Sequence, residues 1–276
     1  MNFLETIAAV KREQVERRKS LTPIQRLEKS VYFDSPCVSL ASYIRREDKL
    51  GVIAEIKRRS PSKGILNENI SVEKLSIGYM QAGASALSIL TEEEHFSGSD
   101  DDLSIARRFN YCPLLRKDFI IDEYQIIESK SLGADAILLI AELLSPDEIT
   151  RFAKLAQSLS LEVLLETHSR ESLPDSLENI SVIGINHRDL TTFEVNLDLG
   201  HQLIPHLPSQ IVKIAESGIA DVETAVKLKV AGFDGFLIGE QFMRSATPEQ
   251  ACAEFIKGLR ASVGEFPASR TTEAGA

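Results

Sequence analysis

The chain has no tryptophan, only three cysteines and three methionines, and an aromatic content of 6% across 276 residues. Cys37, Cys112 and Cys252 are odd in number and far apart. They build neither a disulfide framework nor paired zinc spacing, and they fit a reducing compartment. The five histidines, His95, His168, His187, His201 and His206, contain no H-x-x-x-H pair, so no metal is expected. No Gly-x-Gly-x-x-Gly turn follows the first apolar run, and neither a Gly-Lys-Ser/Thr loop nor a Gly-x-Ser-x-Gly elbow occurs. Those absences weigh against a Rossmann dinucleotide site, a P-loop and an α/β-hydrolase nucleophile.

Long hydrophobic runs are missing too. The longest, Ala136 to Ala141, is far short of the roughly 20 residues of a membrane span. The start, Met1-Asn2-Phe3-Leu4-Glu5, places an acid where a signal peptide needs basic and then apolar residues. A cytoplasmic protein is therefore expected. With 31 basic and 41 acidic residues the net charge is −10, which disfavours broad nucleic-acid binding. An anionic small molecule stays open, because local charge governs a pocket.

Hydrophobic residues at 43% and charged residues at 26% belong to a globular chain. The first 48 residues read as helical: Phe3, Leu4, Ile7, Ala8 and Val15 approximate a 3.6-residue period. Thr22 reads as an N-cap with Pro23 in the first helical position, and Ser39 caps a third short helix running to about Lys49. Residues 1–48 are expected to pack as an extension on a larger domain; a loosely attached basic arm is the competing reading. Residues 49–265 form that domain, and 266–276 read as a frayed tail.

From Gly51 onward, short runs rich in Val, Ile and Leu alternate with amphipathic stretches. The runs are Val52–Ile56, Ala86–Leu90, Pro113–Leu115, Ala136–Ile140, Glu162–Leu165, Val182–Ile185, Ile211–Ala215 and Gly235–Ile238. Helix signals follow Ser71, Asp122 and Ser145, and cover Ala220 to Ala231 and Pro248 to Arg260. Gly83, Gly133 and Gly232 stand where a left-handed residue would end a helix before the next strand. Eight βα units with strands apolar on both faces point to an α/β fold, a (β/α)8 TIM barrel with an N-terminal helical extension. A doubly wound open sheet is the rival.

In such a barrel chemistry sits at the C-terminal strand ends. There the runs meet Glu55 and Lys57, Arg116-Lys117-Asp118, Glu166-Thr167-His168, Asn186-His187-Arg188, Glu216-Ser217-Gly218 and Gly239-Glu240. Alternation puts Glu55 and Lys57 on one face. Any one of these residues could be a plain salt bridge. Their convergence on one rim argues for a site. The glycines after the last two runs could let backbone N–H groups approach a phosphate, with positive charge from Lys57 and Arg58. Glu92-Glu93-Glu94 reads as a solvated loop, while Phe96, Phe119 and Leu138 could wall an aromatic pocket.

The strings Ile53-Ala54-Glu55-Ile56-Lys57-Arg58-Arg59-Ser60-Pro61-Ser62, Ser88-Ile89-Leu90-Thr91-Glu92, Leu115-Arg116-Lys117-Asp118-Phe119-Ile120, Gly184-Ile185-Asn186-His187-Arg188-Asp189-Leu190, Ala215-Glu216-Ser217-Gly218-Ile219 and Leu237-Ile238-Gly239-Glu240 resemble those of the indole-3-glycerol phosphate synthase family. The resemblance runs from the N-terminal helices to about Arg260. It implies ring closure, decarboxylation and dehydration of 1-(2-carboxyphenylamino)-1-deoxyribulose 5-phosphate in tryptophan biosynthesis, a carboxy-lyase reaction without cofactor or metal. It implies Lys117 as general acid, Glu166 as general base, and Lys57 holding the substrate carboxylate and donating a proton in dehydration. Glu55 and Glu216 would position lysines or hydroxyls, and Asn186 would bind substrate hydroxyls. Ser60, Ser217, Gly218, Gly239 and Glu240 would hold the phosphate, Phe96, Phe119 and Leu138 would pack on the ring, and Arg188 would stand at the rim. A lysine buried near other cations would release its proton more readily. Because a carboxylate repels a phosphate dianion, Glu240 should turn outward and offer only its N–H. The implied partner is a phosphorylated small molecule, with no nucleic acid or membrane, and the implied assembly a monomer or weak homodimer.

Two other readings are weighed. A phosphate-binding isomerase barrel would want Cys and Asp where Lys57 and Lys117 stand. A non-catalytic barrel serving as a pathway scaffold would be expected to have lost some of these Lys, Glu and Asn residues. The chain is expected to be monofunctional, since little sequence follows the last helix.

Overall fold

The computed structural model describes residues 3–189 and 192–264, so Leu190 and the tail read over 266–276 lie outside the described residues. The eight apolar runs form eight parallel strands closed into one barrel: β1 Val52–Ile56, β2 Ala86–Leu90, β3 Leu114–Lys117, β4 Ala136–Ile140, β5 Glu162–Thr167, β6 Val182–Asn186, β7 Val212–Glu216 and β8 Gly235–Ile238. β1 closes the circle, pairing Ile53 with Ala86 of β2 and Val52 with Phe236 of β8. That closure excludes the open sheet. β3, β5, β6 and β7 run one or two residues past their apolar runs. The ladder continues through polar positions, pairing Leu90 with Lys117, Ile140 with Glu166 and Asn186 with Glu216.

The period of two along each strand separates two cores. Val52, Ala54 and Ile56, with Leu87, Ile89, Ile137 and Leu139, face the helices. Ile53, Ala86, Leu115, Ala136, Leu138, Leu164, Val182, Ile214 and Leu237 fill the barrel interior. Continuing the inward register to the top of each strand reaches Glu55, Lys117, Glu166, Asn186 and Glu216.

The helices are α1 Phe3–Leu21, α2 Ile24–Leu27, α3 Leu40–Ile44, α4 Val72–Gln81, α5 Asp100–Phe109, α6 Glu123–Leu132, α7 Pro146–Ser158, α8 Leu199–Leu203, α9 Val222–Val230, α10 Glu240–Met243 and α11 Pro248–Gly264. Ser71, Asp122 and Asp221 cap α4, α6 and α9 by accepting backbone N–H bonds, and Ser145 forms a full capping box with Glu148. Gly83, Gly133 and Gly232 all have φ between 90° and 108°, the left-handed turn expected before a strand.

Four readings need correction. Pro23, not Thr22, is the N-cap of α2, and no side-chain bond caps it. α3 ends at Ile44, well before Lys49, although Ser39 does cap it. α5 and α8 are helices absent from the expected set; Asp100-Asp101-Asp102 forms the acidic first turn of α5, capped by Ser99. Finally, residues 168–181 between β5 and β6 contain no helix, so the fifth unit is a strand and a loop.

The N-terminal residues wrap the barrel from top to bottom. α1 lies on the loops at the upper rim, with Lys11 2.8 Å from Asp118 and Arg18 2.8 Å from Asp100. The chain then descends along α6, where Lys130 Nζ donates to the Ser35 carbonyl at 2.6 Å. α3 covers the lower end: Glu162 accepts from Ser39 Oγ at 2.6 Å and from Ala41 N–H at 2.8 Å. Ile7, Leu40 and Ile44 share the barrel's interior apolar cluster.

Candidate active site

All fifteen candidate residues line one cleft at the upper mouth, which encloses about 1080 Å³ open to solvent. Inward register explains Glu55, Lys117, Leu138, Glu166, Asn186 and Glu216. Lys57 directly follows β1, and the segments above the strands supply Ser60, Phe96, Phe119, Arg188, Ser217, Gly218, Gly239 and, as the first residue of α10, Glu240.

The centre is a buried ionic cluster. Lys117 Nζ lies 2.6 Å from Glu166 Oε2 and 3.4 Å from Glu216 Oε2. Asn186 Nδ2 donates to the other Glu166 oxygen at 2.8 Å, and Lys57 pairs with Glu55. Two lysines thus face three carboxylates. Burial alone would push Lys117 down, but Glu166, Glu216 and Glu55 outweigh it and hold its ammonium above the ordinary lysine value. Burial pushes Glu166 up, yet Lys117 and the bond from Asn186 hold it below the ordinary carboxylate range. Burial also pushes Glu216 up; Lys117 opposes, but Glu166 and Glu55 add to it, to about 8. The cluster therefore carries an extra proton near neutrality, centred on Glu216. Carboxylates, not cations, surround Lys117, because the inward positions of β5 and β7 are glutamates.

One wall is apolar. Phe96 and Phe119 lie with ring centroids 6.2 Å apart and pack with Leu138 and Ile140. The opposite wall is backbone. Ser217 and Gly218 are both left-handed, at φ 64° and 73°, a turn that exposes successive N–H groups. Glu240 begins α10 just after Gly239. Its carboxylate lies 3.3 Å from Arg188 and 3.6 Å from Arg244, so two arginines offset its charge.

Two positions depart from expectation. Arg58 does not line the cleft; it pairs with Asp102 and donates to the Ser97 carbonyl at 3.2 Å, which leaves Lys57 as the cation facing inward from this loop. Glu92 is not solvated. It is 2% exposed and accepts N–H bonds from Glu94, His95 and Phe96 at 3.2, 2.7 and 3.1 Å, which fixes the turn carrying Phe96. Glu93 and Glu94 do face solvent and reach Arg18 and Gln14 of α1. Pro61, Ser62, Leu90, Phe193, Ile219 and Gln241 also line the cleft and carried no signal beyond their nearness to strand ends. Gly184 was passed over as well, although a glycine inside an apolar strand is itself a sign of close approach. Among the described residues no helix is long and apolar enough to cross a membrane.

The sequence model described as "Indole-3-glycerol phosphate synthase" matches residues 4–255. Two curated relatives carrying that same name are each 43% identical. One, from Bacteroides thetaiotaomicron, aligns over 94% of this chain and 99% of its own length. The other, from Carboxydothermus hydrogenoformans, aligns over 90% and 97%. Among solved structures, a thiamine phosphate pyrophosphorylase from Pyrococcus furiosus superposes with a TM-score of 0.59 at 16% identity, covering 79% of this chain and 98% of that one. At that identity the likeness is one of fold.

Proposed function

The chain belongs to the indole-3-glycerol phosphate synthase family, carboxy-lyases of tryptophan biosynthesis, and from that premise we propose how its rim residues divide the reaction. The observation that carries the proposal is Lys117 Nζ held 2.6 Å from Glu166 within a mouth walled by Phe96, Phe119 and Leu138. A protonated lysine and an ionised carboxylate side by side are a loaded acid and a ready base.

The aromatic carbon bearing the substrate carboxylate attacks the C2′ carbonyl. Lys117 protonates the oxygen as it gains charge, and the glutamates that keep Lys117 charged ensure that the proton is present. Loss of carbon dioxide returns the electron pair to the ring. Glu166 then removes a proton from C1′ of the indoline, the C2′ hydroxyl leaves as water with a proton supplied by a lysine, and the indole is complete. Lys57 binds the substrate carboxylate in exchange for Glu55, Asn186 orients Glu166 and a substrate hydroxyl, and Glu216 positions Lys117. Ser60, the backbone of Ser217, Gly218, Gly239 and Glu240, and the rim cation Arg188 receive the phosphate end. The phenyl ring packs on Phe96, Phe119 and Leu138. The proposed setting is the cytoplasm, with the chain as a monomer or weak homodimer.

The idle-scaffold reading has nothing in its favour, because the acid, the base and the apolar wall stand together. The test is a fluorescence assay for indole-3-glycerol phosphate from the carboxyphenylamino-deoxyribulose phosphate. Turnover that survives a chelator and falls about 10² to 10⁴-fold in Lys117→Ala, with unchanged circular dichroism, supports these roles. Wild-type turnover in Lys117→Ala would remove the lysine from the acid role.

A further inference from the structure

Glu216 occupies space that only a glycine could leave. Gly184 lies inward on β6, paired beside Ile214 of β7 and Glu166 of β5. A Cβ built at Gly184 would overlap Glu216 Oε1, and it would stand 3.0 Å from Leu164 Cδ2. Nothing in the backbone requires glycine here: its φ is not among the positive ones, and glycine weakens a strand interior by its flexibility. The Oε1 atom seated against it is buried and takes no bond from a lysine, amide or backbone donor, so apart from this seat the carboxyl is tied only through Glu166 and Lys117. Its partner oxygen is the one that reaches Lys117.

From this we infer that Gly184 is a positioning residue, whose missing side chain forms the seat that holds the Glu216 carboxyl against Lys117. The inference deepens the proposed roles and rests on them for its kinetic consequence. Any side chain at 184 displaces the carboxyl. The geometry of Lys117, and with it proton delivery, shifts, while the phosphate and aromatic ends of the cleft are untouched. An error of about 1 Å at a reacting group can cost roughly 100-fold in rate.

The experiment is a double-mutant cycle with steady-state kinetics. Gly184→Ala should lower kcat at least tenfold and leave KM within about threefold. The same substitution in a Glu216→Ala background, where the seat is empty, should change kcat little. A full kcat in Gly184→Ala, or an equal loss in both backgrounds, would overturn the inference and assign the effect to the strand. Leu164→Val withdraws the second contact, so Gly184→Ala combined with Leu164→Val covers the case in which the single variant folds poorly; the kcat defect must persist there. The carboxyl titration of Glu216, followed by carbon-13 NMR, is a readout that needs no turnover. It should move in Gly184→Ala, and an unmoved midpoint would overturn the seat even if the assigned reaction roles were revised.

Discussion

Lys11 Nζ of the N-terminal helix lies 2.8 Å from Oδ1 of Asp118, the residue directly after Lys117. The two side chains are 5% and 0% exposed, so α1 is fastened to the end of the strand that supplies the proposed acid. The other Asp118 oxygen accepts from Thr91 Oγ at 2.7 Å, and Arg116, wholly buried on the outward face of β3, joins Asp118 to Asp100 and Glu128. Removing one member of a buried pair leaves its partner's charge uncompensated and costs about 3–5 kcal/mol. Lys11→Met should therefore lower the unfolding free energy by that order in urea. Asp118→Asn in the same background should recover part of it, because the stranded charge is then gone. If the single variant were as stable as wild type, the pair would contribute nothing.

Asp118 also sets an acid limit. Burial pushes its carboxyl up, but Lys11 and Arg116 override that and hold it at about 2, below its ordinary 3.8. A depressed carboxylate contributes stability that is complete above the unfolded value and lost as pH falls through the folded one. Unfolding free energy should fall by about 2 kcal/mol between roughly pH 4 and pH 2 on this account. Asp118→Asn should flatten that part of the curve, measured by urea titration at each pH.

Glu92 makes a third case. Its carboxylate takes three backbone N–H groups from the turn that carries Phe96. Glu92→Ala strands those donors, at about 1–3 kcal/mol for a buried unsatisfied group, and loosens the aromatic wall. We expect KM to rise several-fold with a smaller change in kcat, and amide exchange across 93–97 to quicken. Unchanged exchange would mean that the turn holds itself.

The period of two made most of this site legible in sequence. It carries Glu55, Lys117, Glu166, Asn186 and Glu216 inward once the strands are recognised, and the apolar runs make the strands easy to recognise. What was not legible depends on where a loop goes after it leaves a strand. Arg58 turns to Asp102 and Glu92 folds back on its own turn, and neither choice has a local pattern. Three consecutive aspartates hid α5, since the same acids suit a loop and a helix N-terminus alike. The charge environment of Lys117 depended on which strands are opposite in the closed barrel, a relation that no single segment carries.

Glu216 gives the last prediction. Its carboxyl is raised to about 8 from 4.5 by burial, with Glu166 and Glu55 adding to it. A raised group contributes stability that is present below its unfolded value and lost as pH rises through its folded one. The substrate-free protein should therefore lose stability between roughly pH 4.5 and pH 8. Glu216→Gln keeps the shape and cannot ionise, so it should be the more stable protein at pH 9, by at least about 1 kcal/mol, and should show a flatter profile across that window. Thermal unfolding of both proteins from pH 5 to pH 9 measures this. Parallel curves would place the extra proton elsewhere in the cluster.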